Sequence, residues 1–158
     1  TIYWSLETLD GQMLTKGLET VSAAPLAATH ICMLDFVNRV SEDSRRDVVL
    51  VSELWQDDQQ IALQVVPFVP TKHLSLVDPE LSVELMQQDD QLVIELSANS
   101  LARFVELSFA DMDVLFSDNY FDLPAGRTVA VTCPMPEGWS LKKAREALRV
   151  YSLYDSFA

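Results

Sequence analysis

Apolar and polar residues alternate with period two along most of the chain, which is the pattern of antiparallel strands with one face on a core and one in water. Ile2, Trp4 and Leu6 fall on one face, against Tyr3, Ser5 and Glu7 on the other. Leu81, Val83 and Leu85 alternate with Ser82 and Glu84, and Leu92, Ile94 and Leu96 with Val93 and Glu95. Val105, Leu107 and Phe109 alternate with Glu106 and Ser108. Turn chemistry punctuates these runs. Asp10-Gly11 predicts a hairpin tip. "ELWQDDQQIAL" and "ELMQQDDQLVIEL" each set Asp-Asp between apolar runs, so each reads as a hairpin. Helical spacing shows in "WSLKKAREAL", where Ser140 is the expected N-cap and Leu141, Ala144 and Leu148 share a face. "RVYSLYDSF" after it reverts to strand character.

The alternation breaks at "VPFVPTKHLSLVDPE", where Pro67, Pro70 and Pro79 interrupt any ladder and favour extended connections. About five strand candidates precede this stretch and about six follow it. Many short strands with regular turns and one short helix near the C-terminus predict an all-β protein of two β-sandwiches in tandem. The division falls at 1–68 and 69–158. Thr1 opens directly in a strand with no initiator Met, so the chain reads as a fragment whose first module is truncated at its N-terminus.

Composition removes several functions. The 158 residues are 49 % apolar and 22 % charged, as expected of a folded chain. Asp and Glu number 24 against 11 Lys and Arg, a formal charge of −13. With no basic stripe, neither nucleic acid phosphates nor anionic membrane surfaces are expected partners. The two cysteines, Cys32 and Cys133, read as unpaired core residues, which favours a reducing, cytoplasmic setting.

Catalytic chemistry finds little support. His30 and His73 lack a second His or a Cys at ligand spacing. "DMDVLFSDN" offers Asp111, Asp113, Asp118 and Asn119 to Ca²⁺ but lacks the glycine of an EF-hand loop. There is no Gly-x-Ser-x-Gly elbow, and the four glycines are unclustered, so no phosphate loop exists. Three tryptophans could stack on sugar rings. Trp4 alternates into a core, Trp55 shares a face with Glu53, and Trp139 in "PEGWSL" is the best placed. No catalytic, cofactor-binding or metal-binding residue is assigned, and no cofactor is expected.

The densest polar cluster is "FSDNYFDLPAG", Phe116 to Gly126. Its bland reading is a scaffold corner. Asp118 and Asn119 would bond nearby backbone, Tyr120 or Phe121 would pack inward, and Leu123 to Gly126 would form a β-turn. Asp122 would lie in water.

"FVPTKHLSLVDPELSVEL", "LSANSLARFVELSF", "VLFSDNYFDLPAGRTVAV" and "LRVYSLYDSF", in that order, resemble the C-terminal immunoglobulin-like domain of β-mannosidases of glycoside hydrolase family 2. "WSLETLDGQMLTKG" through "DVVLVSELWQDDQQIALQVVPF" is similar to the immunoglobulin-like domain that precedes it. The most specific motif is Ser117 to Asp122 followed by Pro124 and Gly126. The resemblance implies tandem immunoglobulin-like sandwiches beside a catalytic (β/α)₈ barrel that holds both catalytic glutamates, so no glutamate here inherits their role. It implies the parent chain's barrel as partner, with carbohydrate met through the parent. The alternative is a carbohydrate-binding or adhesion module acting alone.

Overall fold

Every strand-forming run that the alternation marks is a strand in the computed structural model, which describes residues 1–22, 24–110 and 112–157. The chain divides into two units, Thr1–Ser75 and Leu76–Ala158.

The first unit holds one four-stranded antiparallel sheet in the order β2-β1-β3-β4. Its strands are β1 (Ile2–Thr8), β2 (Met13–Glu19), β3 (Val48–Gln56) and β4 (Gln59–Pro67). The tips match the turn residues. Gly11 carries φ 84°, and its N–H donates to Thr8 O at 2.9 Å. Asp57 and Asp58 both adopt the left-handed region, at 48° and 64°, which is the conformation that a two-residue hairpin of the primed type needs. Four strands form where about five were expected, because residues 20–47 contribute none among those described. That segment is pinned by an aromatic chain instead. Phe36 meets Trp4 and Phe68 edge-on, each at 6.0 Å between centroids. Trp4 can lie flat there because its cross-strand partner is Gly17.

The second unit is a sandwich of two three-stranded antiparallel sheets. One, ordered β5-β6-β9, comprises β5 (Ser82–Gln88), β6 (Gln91–Ser97) and β9 (Thr128–Pro134). The other, ordered β10-β7-β8, comprises β7 (Ala102–Phe109), β8 (Phe121–Leu123) and β10 (Leu148–Tyr151). Leu92, Ile94, Leu96 and Val131 of one sheet pack against Val105, Leu107, Phe109 and Leu123 of the other, all buried. Burial of each such side chain contributes roughly 1.5 to 3 kcal/mol. The helix α1 (Leu141–Ala147) adds Ala144 and Ala147 to this core. Ser140 caps it as expected, accepting from Lys143 N at 3.2 Å. Leu148 does not belong to the helix; it opens β10, and a 3-10 turn (Leu153–Ser156) follows where strand was expected. Ser152 and Asp155 close that turn as a capping box, with Ser152 N donating to Asp155 Oδ2 at 2.7 Å.

The Trp4–Gly17 contact yields a direct test. A Cβ at Gly17 would stand 2.2 Å from Trp4 Cζ2, closer than any real contact, so the indole must move and the Phe36 contact with it. Gly17→Ala should therefore destabilise the first unit by about 1 to 3 kcal/mol in urea melts, the cost of overpacking. A melt unchanged from wild type would show that the ring is not held there.

Candidate functional site

The polar cluster at the second unit's crossover is a joint between two sheet edges. Ser117 reaches β9, its N–H donating to Thr132 O at 2.8 Å while its Oγ accepts from Thr132 N at 2.9 Å. Two residues later, Asn119 reaches β7. Its Oδ1 accepts from Leu107 N at 2.8 Å and its Nδ2 donates to Leu107 O at 2.9 Å. One side-chain amide thus replaces the strand pairing that β8 is too short to provide at Leu107. Asp118 Oδ1 accepts from Asn119 N at 2.8 Å and fixes the approach. Phe121 packs against the core, whereas Tyr120 is exposed.

Asp122 corrects the expectation that it lies in water. It is nearly buried and clamps Arg103 through both oxygens, Oδ1 to Nε at 3.0 Å and Oδ2 to Nη2 at 2.9 Å. Its Oδ1 also accepts from Phe104 N at 3.1 Å. The register of β7 against β8 slips between Ala102 and Val105, and Phe104 sits in that bulge at φ 52°. The turn that closes the stretch also lies one residue later than expected. Arg127 N donates to Pro124 O at 3.3 Å, which makes Ala125 and Gly126 the central pair. Gly126 at φ 70° is the reason: a turn of the second type needs a positive φ at its third residue.

The other candidates disperse. Asp111 lies outside the described residues, and Asp118 is occupied with Asn119. Among the described residues no three His, Cys, Asp or Glu side chains gather as a metal site. His30 and His73 are both exposed. Trp55 Nε1 donates to Glu53 Oε2 at 3.1 Å, which ties the ring to its own strand. Trp139 meets Phe109 edge-on at 5.4 Å and lies under Lys143 Nζ at 4.6 Å, so it covers the core edge. Cys133 is buried, and burial pushes its thiol up to about 11. Cys32 is exposed, contrary to the core placement expected of it, because residues 20–47 form no strand to bury it. Sequence reasoning missed one buried acid, Glu7, which accepts from the Ser5 hydroxyl. A cleft of about 440 Å³ lies in the first unit between Met33, Phe36, Val37 and Phe68. Its Glu42 is paired with Arg45.

The cluster's role is measurable. Asn119→Ala leaves both backbone groups of Leu107 without their partner and should cost about 1 to 3 kcal/mol. Asp122→Ala should cost more, about 3 kcal/mol or above, since it leaves a buried guanidinium without its carboxylate. Melts of both variants with Ca²⁺ and with chelator check the order, and chelation should shift neither them nor the wild type. A wild-type melt lowered by several degrees on chelation would make the acids a metal site instead.

The family model for the mannosidase Ig-fold domain matches residues 76–156, and the one for the "Mannosidase Ig/CBM-like domain" matches residues 1–73. No curated protein matches the chain. Among solved structures, the fold is similar to part of a β-D-mannosidase from Dictyoglomus thermophilum, with TM-score 0.73 and 17 % identity over 96 % of this chain. It is also similar to part of an exo-chitosanase from Amycolatopsis orientalis, with TM-score 0.53 and 11 % identity over 96 % of this chain. The chain spans 18 % of the first and 22 % of the second. The chain belongs to the mannosidase Ig-fold domain family, and its two units are the tandem immunoglobulin-like domains of that group.

Proposed function

We propose that these two domains are non-catalytic accessory modules of a β-mannosidase-like retaining glycoside hydrolase, which stabilise or shape its catalytic barrel. The observation that carries this reading is the ordered match of both domain models across nearly the whole chain. The packing supports it. The best-ordered polar cluster is spent on backbone groups of the sandwich, and its one buried carboxylate, Asp122, is committed to Arg103. Retaining hydrolysis needs two carboxyl groups about 5 to 5.5 Å apart, both free to reach the sugar. Asp122 is not free in that sense.

The barrel of the parent chain is the partner that this reading requires. Its carbohydrate chemistry would reside there, with the immunoglobulin-like units as a rigid base.

Purified chain incubated with aryl β-mannoside and aryl β-glucoside should release no phenol above the buffer rate. Turnover that co-elutes with the chain through a second purification would contradict the accessory role.

A further inference from the structure

The outward face of the β10-β7-β8 sheet carries three aromatic side chains for which the scaffold has no use. Tyr151 on β10 stands directly opposite Glu106 on β7. Val105 pairs with Phe121, and the Asn119 amide takes the place opposite Leu107, so Tyr120 falls on the other side of Glu106. The row therefore reads ring, carboxylate, ring across the sheet. Phe104 is on the same face, since Asp122, which clamps its neighbour Arg103, lies between the inward-facing Phe121 and Leu123. Tyr151, Tyr120 and Phe104 are 52 %, 62 % and 44 % exposed.

Two of these rings are held at a cost. Phe104 and Tyr120 sit at φ 52° and 60°, the left-handed region where a bulky side chain is strained and glycine is not. The backbone is fixed there by the N–H of Phe104 donating to Asp122 and that of Tyr120 donating to Asn119, each at 3.1 Å. Glycine would serve those bonds equally well, so what each position gains from its residue is the ring. The Phe104 ring is also backed. The Arg103 guanidinium, itself clamped by Asp122, lies 4.9 Å from its centroid and leaves the opposite side to solvent.

We propose that this face is a binding platform for a neutral, extended β-linked glycan. Flat rings suit the C–H faces of pyranoses, and the Glu106 carboxylate between them can accept from sugar hydroxyls. Two strand spacings put Tyr151 and Tyr120 about 10 Å apart, a span of two residues in an extended β-1,4-linked chain. The formal charge of −13 disfavours anionic glycans. A charge at the centre of the row argues against a protein partner, because interface cores are depleted of charged residues. The platform differs from the sugar site that Trp139 or Trp55 suggested, since both of those rings are engaged within the fold.

Affinity electrophoresis of the whole chain in gels containing galactomannan, hydroxyethylcellulose or polygalacturonate tests the proposal. At least one of the two neutral polysaccharides should retard the chain, and polygalacturonate should not. Tyr151→Ala and Tyr120→Gly should each weaken that retardation at least tenfold. Tyr120→Gly relieves the strained backbone and keeps the fold, and Tyr151→Ala sits on an edge strand, so melts can show that both remain folded. No retardation by either neutral polysaccharide, or equal retardation of wild type and both variants, overturns the platform. Self-association of the wild type that the variants lose would assign the face to a second copy of the chain and overturn it too.

Discussion

Leu107 presents its backbone N–H and C=O toward a place where the neighbouring strand has already ended, and the Asn119 side chain fills that place. An amide carries one donor and one acceptor at the spacing of a peptide group, so it extends the ladder by a single rung. Without it, two polar groups beside the sandwich core would be left unmade, at about 1 to 3 kcal/mol each. Ser117 does the equivalent at the free edge of β9. Three consecutive residues thus fasten one sheet's edge to the other's, and the core between Leu107 and Val131 closes beneath them.

The same cluster explains why a scaffold can look like an active site. Asp, Asn and Ser are the residues that bind metals and move protons, and they are also the residues that satisfy backbone in irregular turns. Burial and partners separate the two cases. Asp122 is engaged by a guanidinium and a backbone N–H, and Asn119 by both groups of Leu107. Such saturated groups hold structure. What the cluster holds out to solvent is different: two aromatic rings on strained backbone, in a family whose members include domains of enzymes acting on polysaccharide linkages.

The strands, the Asp-Asp hairpins and the Ser140 cap were legible because each depends on residues adjacent in sequence. Period two marks a half-buried strand, and Asp tolerates the left-handed region that a tight hairpin demands. The Asn119 and Asp118 contacts could be read for the same local reason. Asp122 could not, since its partner Arg103 lies nineteen residues away across a bulge. The bulge itself was hidden because phenylalanine gives no signal for positive φ. Residues 20–47 misled through composition: their scattered apolar residues suggest a strand and supply instead the Phe36 anchor for Trp4. That irregular course is also why Cys32 is exposed while Cys133, on a regular strand, is buried.

The central claim is that a side chain completes the β-ladder at Leu107 and thereby fixes the crossover that carries the rest. Native-state hydrogen exchange at the Leu107 amide tests it most directly. The account predicts protection close to that of neighbouring core strand amides, and its collapse in Asn119→Ala while β6 amides keep their relative order. Exchange of the wild-type Leu107 amide at the rate of an open loop would contradict it.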